Sequence, residues 1–257
     1  METADVCRPV GGVGGCWFNI KNVGQQLAKK NELKPFLKEQ YIIPAKASAA
    51  FVCQMEQVLD VYERRYDPEY PVVCMDESPK QLIDYKQIID SKGSRLQDSE
   101  YTRLGVAELF VAFEPLAGHR EMTVEDDHTA VTWATFIARQ MDARYKDAKK
   151  VTWVVDNFST HKPESFYKVY APAQAKAYLD RMEFIYTPVH GSWLNMAEIQ
   201  FSILTRDELD RPFKSKEEVV EVAQKWTANQ NKLKKGANWQ FTNDKARIKL
   251  KKLYPTI

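Results

Sequence analysis

The chain contains no apolar run approaching the ~18 residues needed to cross a bilayer, and its N-terminus lacks the basic and then apolar blocks of a signal peptide. Both absences make a soluble cytoplasmic protein with no membrane partner the expectation. Cysteine is sparse: Cys7, Cys16, Cys53 and Cys74 have no C-x-x-C spacing and no histidine placed to complete a zinc site, so reduced thiols are expected. The glycine-rich stretch Gly11-Gly12-Val13-Gly14-Gly15 lacks the Gly-Lys-Ser/Thr ending of a phosphate loop. No internal repeat or low-complexity tract is present. An excess of one charge is missing too: 37 Lys and Arg against 35 Asp and Glu leave a net charge of +2. A nucleic-acid partner would have to be held by local basic patches.

What the chain does have is apolar content, 44% of 257 residues, enough to bury a sizeable core in one main domain. A short helix is expected from Asn22 to Lys30, and Pro35 stops it from continuing far. From Ser48 to Tyr66 the residues Phe51, Met55, Val58, Leu59 and Tyr62 recur with helical period, until Asp67-Pro68 and Tyr70-Pro71 stop them. Strands follow at Val72–Met75, Leu109–Phe113 and Glu121–Val124, the last two joined by a Pro115–Gly118 turn. Between the first two, residues 80–103 read as a basic loop with Lys80, Lys86, Lys92, Arg95 and Arg103. An apolar helical stripe from Thr129 to Tyr145 leads to a strand at Val151–Val155, which implies a right-handed parallel crossover. Helices around 164–170 and 173–181, a strand at Glu183–Tyr186 and a helix holding Glu198 come next. Two helices close the chain: one capped by Ser215 with Glu218 three residues on, the other from Asp244 to Leu253.

Three acids stand out. Asp76 closes the run Val72–Met75, Asp156 closes Val151–Val155, and Glu198 opens a helix just after another strand. Carboxylates converging from separate elements can chelate paired divalent cations, and ligands of α/β sheets gather at the carboxyl ends of parallel strands. Each acid also has a plain structural use. Asp is common where a strand enters a turn, and Asn195-x-x-Glu198 is a capping-box pattern that would spend the carboxylate on backbone N–H groups. Only together do they point to metal-dependent phosphoryl chemistry.

The blocks Val72–Ile83, Val155-Asp156-Asn157-x-x-Thr160-His161 and Tyr186-Thr187-Pro188-x-His190-Gly191-Ser192-Trp193-Leu194-Asn195-Met196-Ala197-Glu198 resemble the three acidic blocks of DDE transposases. The likeness is to the mariner-like superfamily and, within it, the bacterial insertion sequence 630 branch. Phe113–Gly118 and Ala246–Pro255 match as well, and the resemblance runs from about Asn31 to the end. It implies an α/β, RNase H-like fold with a five-stranded mixed sheet flanked by helices. In that fold Asp76, Asp156 and Glu198 would bind two Mg²⁺ or Mn²⁺ ions. The implied activity is strand cleavage at transposon ends and strand transfer into target DNA. Double-stranded DNA, as terminal inverted repeats and target, would be the partner, with a homodimer assembled on it near the bacterial nucleoid.

The sequence departs from that pattern twice. The segment between Asp156 and Glu198 is longer than is common in mariner relatives, with the surplus expected around Ala171 to Arg181. Full-length relatives also carry helix-turn-helix modules. Here residues 1–45 are expected to be only a remnant of that region and a linker, ahead of a catalytic domain at 46–257. A truncated or catalytically inactive DNA-binding remnant is therefore one rival reading, and an RNase H-like host endonuclease is another.

Further candidates for DNA contact are Lys80, Asn157, His161, His190, Trp193 and Asn195. Asn157 and His161 suit either ligand orientation and phosphate contact or turn and cap work. His190 suits phosphate contact, orientation of an acid, or simple solvation. Trp193 suits core packing more than base stacking. The basic 80–103 segment and the C-terminal Lys/Arg run could track a DNA backbone or be solvated faces.

Overall fold

The computed structural model describes residues 48–89 and 95–255. The expected helix-turn-helix remnant, with Cys7 and Cys16, lies outside them. Helix α1 (Ala49–Tyr62) begins at Ser48, whose hydroxyl accepts the Phe51 N–H at 3.3 Å. Strands β1 (Val72–Ile89), β2 (Arg95–Glu114) and β3 (His119–Glu125) follow as an antiparallel meander. Next come α2 (Ala130–Asp142), capped by Thr129, and the short strand β4 (Val151–Val155). A 3₁₀ segment at Pro163–Lys168 and α3 (Pro172–Asp180) lead into β5 (Met182–Tyr186). The last part holds α4 (Met196–Leu204), α5 (Lys216–Lys232) and α6 (Asn243–Lys249).

The strands form one five-stranded mixed sheet in the order β3-β2-β1-β4-β5. β4 runs parallel to both β1 and β5, and its five residues are all buried, as a parallel strand between two neighbours requires. The crossover expected after α2 does not set β4 beside the strand it leaves. The chain passes over β2 and β1 and inserts β4 on the far side of β1.

Pleating sends successive side chains to opposite faces, and each face has its own core. On one, Cys74, Val111, Phe113 and Val154 pack with Met55 and Leu59 of α1, Ala197 and Leu204 of α4, and Trp226 of α5. On the other, Val73, Met75, Phe110, Trp153 and Val155 pack with Trp133, Phe136, Ile137 and Met141 of α2.

Two expectations need correcting. Residues 80–89 and 95–103 are not a basic loop but the continuation of β1 and β2 as a long antiparallel ribbon. A cross-strand ring contact and a bond to the segment before α5 explain it. The Tyr85 and Tyr101 rings meet at 5.7 Å, and the Ile83 N–H donates to Phe213 O at 2.8 Å. A register shift between Leu82 and Ile83 sits opposite Gly105, whose φ of +138° suits glycine. Pro79 can sit in β1 because pairing with β4 is recorded only from Val72 to Cys74, leaving an edge on that side. The C-terminal helix also differs: α6 stops at Lys249, and Lys251–Leu253 form a separate 3₁₀ turn.

Candidate active site

The parallel pairing of β1 with β4 joins Val72 to Thr152, Val73 to Trp153 and Cys74 to Val154. Two further steps along each strand lead to Asp76 and Asp156, close enough for the Asp156 charge to act on Asp76. Alternation puts both acids on the face that carries Cys74 and Val154, the face covered by α4. The recorded pairing ends two residues before the acids. Beyond that point β1 and β4 are free to part and leave a cleft.

Glu198 arrives in the first turn of α4, and Asn195 decides where that turn sits. Asn195 is 1% exposed. Its Oδ1 accepts the Ala197 N–H at 3.1 Å, capping α4, while its Nδ2 donates to Met75 O at 2.9 Å and to Asp76 Oδ2 at 3.4 Å. One amide thereby joins the helix bearing Glu198 to the strand bearing Asp76. The Asn195 N–H is taken by Ser192 O at 2.7 Å, so the capping-box use open to the Glu198 carboxylate is closed. The preceding turn is anchored as well: the buried Tyr62 hydroxyl donates to Leu194 O at 2.7 Å.

Electrostatics single out Asp76. Burial raises its carboxyl well above the usual carboxylate range, and the charges of Glu77, Asp156 and Glu198 push the same way. The Glu77 N–H, donated to Oδ1 at 2.9 Å, opposes this only in part. The largest charges acting on Asp76 are of its own sign, and a divalent cation is the natural complement. Three carboxylates offer hard oxygen donors of the kind Mg²⁺ and Mn²⁺ take. The donors are gathered rather than closed. Among the described residues no three His, Cys, Asp or Glu side chains converge tightly enough to enclose an ion.

Asp156 has partners of another kind. Its Oδ1 accepts from His161 Nδ1 and from the Phe158 N–H at 3.2 Å. His161 is 1% exposed and lies nearly parallel to the Trp133 ring, 5.3 Å away. Its Nε2 stands 3.0 Å from Glu77 Oε1 but off the line of a hydrogen bond, so that contact is an ion pair. Burial alone would lower the imidazole pKa, but the polar contacts and charges of Asp156 and Glu77 carry it up to about 9. Glu77 had no signal of its own in the sequence. Only the pleat, which turns it to the α2 face, explains its place.

The other candidates lie apart from this cluster in different ways. Asn157 is exposed and accepts from Lys162 Nζ at 2.7 Å, with that ammonium 4.2 Å from the Tyr186 ring centre. His190 is exposed in a turn with φ +64°. Trp193 is half-buried, its ring 6.4 Å from Phe241. Lys80 is turned onto the segment after α4, donating to Leu209 O at 2.7 Å near the Phe213 ring. The structure brings Asp76, Asp156, His161, Asn195 and Glu198 together, and His161 and Asn195 are too buried to face a ligand as large as DNA.

Comparison with known proteins agrees with this architecture. No curated protein matches the sequence. Among solved structures, the mariner Mos1 paired-end complex with Mg is similar at 14% identity over 99% of this chain and 85% of that one, with a TM-score of 0.52. The Mos1 transposase paired-end complex with left transposon end is similar at 14% identity over 87% of this chain and 75% of that one, with a TM-score of 0.51. At such identity the likeness is one of fold, the RNase H-like mixed sheet flanked by helices. The family model described as DDE superfamily endonuclease matches residues 71–220, a span that holds all three acids and all five strands. The chain is a member of the DDE superfamily endonucleases.

Proposed function

We propose that the chain is a DNA transposase of the mariner-like superfamily, insertion sequence 630 branch, which cuts strands at the ends of its element and joins them to target DNA. What supports this reading is that Asp76 and Asp156 follow paired parallel strands on one face, that Asn195 ties the Glu198 helix to Asp76, and that the charges of Asp156 and Glu198 both act on Asp76. Asp76, Asp156 and Glu198 would hold two Mg²⁺ or Mn²⁺ ions. When bound, such ions supply activation of a water or a DNA 3′-hydroxyl and stabilisation of the leaving oxygen.

The chain's own residues set the conditions for that chemistry. Burial and like charges raise the Asp76 carboxyl above the usual carboxylate range, and a bound cation would favour its ionised form. Asn195 holds the strand and helix donors at a constant separation. The exposed Asn157 and His190 would offer donors to phosphate oxygens, contacts that orient a duplex without reading its sequence. The partner would be double-stranded DNA carrying terminal inverted repeats, bound by a homodimer in the bacterial cytoplasm. Support for a DNA partner comes from the Mos1 structures of the same fold, which are paired-end complexes.

The test is Asp156→Asn. Mg²⁺-dependent cleavage of a duplex bearing the element's ends should fall by roughly a thousandfold or more, equivalent to about 4 kcal/mol of lost transition-state stabilisation. DNA binding should stay near that of the parent. Cleavage at the parental rate would sink the catalytic assignment, and nicking with no preference for the repeats would favour a host endonuclease of the same fold.

A further inference from the structure

We infer that His161 and Glu77 are positioning residues that fix the carboxylate of Asp156 across the end of the sheet, an inference resting on the reading of Asp156 as a metal ligand. Asp156 Oδ1 carries both the His161 Nδ1 hydrogen bond and the Phe158 N–H. With that oxygen engaged, rotation of the carboxylate is restricted and Oδ2 is the atom left for the cleft. Ligating carboxylates are commonly held by such outer partners.

Three features separate this arrangement from ordinary packing. The ring of His161 is stacked on Trp133, whose other aromatic neighbours are Phe166 at 5.9 Å and Phe184 at 5.6 Å. A phenyl ring would fill the same apolar place without the cost of burying two ring nitrogens. Both nitrogens face carboxylates, Asp156 on one side and Glu77 at 3.0 Å on the other. Finally, Glu77 follows Asp76 directly, and the pleat sends the two to opposite faces. Consecutive residues of β1 therefore serve the site from both sides, Asp76 as a donor within it and Glu77 as the anchor behind its neighbour.

Mn²⁺ binding to the full chain by calorimetry, beside metal-free thermal melting, provides the test. His161→Phe keeps the stack and the burial and removes both nitrogens. Its Mn²⁺ affinity should fall roughly 10- to 100-fold, while the metal-free melting midpoint stays at or above the parent's. His161→Asn, which retains a donor near the Nδ1 position, should recover most of the affinity. Glu77→Met should weaken it by a smaller factor, and it carries the test alone if His161→Phe does not fold. Parental affinity in both His161→Phe and Glu77→Met, with uptake abolished in Asp156→Asn, overturns the positioning role and leaves the ligand reading standing. A loss of affinity matched by an equal collapse of metal-free stability also overturns it, as a packing effect. A parent that takes up no Mn²⁺, or an Asp156→Asn variant that binds like the parent, overturns both.

Discussion

Two carboxylates on adjacent strands, Glu114 buried and Asp76 half-buried, have opposite surroundings. Glu114, at the end of β2, is 3% exposed and accepts from Arg144 Nη2 at 2.9 Å and Nε at 3.1 Å. Nearby Arg120, 1% exposed, lies over the Phe113 and Trp226 rings at 5.0 and 5.9 Å and donates to Lys235 O. Burial lowers its pKa to about 10, so it remains a cation there near neutral pH. Asp76, on β1, has the charges of Glu77, Asp156 and Glu198 around it and only the neutral donors of Asn195 and the Glu77 N–H to offset them. A buried charge that serves the fold is given a counter-charge or a ring face, whereas one that awaits an ion is left uncompensated. The sheet thus has a settled end and an unsettled end.

The largest expected effect comes from removing the uncompensated charge. Asp76→Asn should lower Mg²⁺-dependent cleavage roughly a thousandfold, yet its metal-free fold should become increasingly more stable than the parent's as pH rises. The sign follows from the raised Asp76 carboxyl. Its contribution to stability is complete below the ordinary carboxylate pKa of about 4 and is lost as pH rises through the higher folded value. Parent and variant melting curves should therefore diverge with increasing pH, and Mn²⁺ should close the gap by stabilising the parent alone. Curves that stay parallel would contradict the contrast between the two ends.

Asn195→Ala should have the next largest effect. It removes the α4 cap and the donor to Met75 O, for a loss of about 2 kcal/mol in denaturant unfolding, together with weaker Mn²⁺ uptake. An unchanged unfolding midpoint would show that the helix does not depend on this amide. Glu114→Gln should cost less, about 1–2 kcal/mol, because Arg144 is itself a third exposed and water takes up part of its charge. It should leave Mn²⁺ affinity as it was. A change in affinity would mean that the two ends communicate.

How far the sequence foretold this arrangement varied with the physics involved. Asp76 and Asp156 were legible because each follows a short apolar run, and apolar runs are what β4 and the buried start of β1 require. The Ser215 cap was legible because capping is local, while the same use of Ser48 went unread. The β1–β2 ribbon was not. Past the sheet it is half exposed, as at Tyr101 and Val106, so it lacks the continuous apolar signature and reads as polar loop. The partnership of Glu77 with His161 could not be read either. It depends on which face each strand residue takes and on two segments 84 positions apart meeting at the end of β4. Asn195 was half legible: its cap follows from spacing, but its bond to Met75 O depends on how α4 docks against β1.

The matched register of β1 and β4 bears on how this chain can vary. Loops, helices and the protruding ribbon lie between the acids in sequence, and none of them sets the distance between the two Asp side chains. Insertions there are absorbed at the periphery. One residue gained or lost inside Val72–Met75 or Val151–Val155 would instead turn an acid through to the α2 face, where Trp133 and Phe136 stand. Tolerance of length change should therefore be broad in the loops and ribbon between the two acids and vanish within these two stretches of four and five residues.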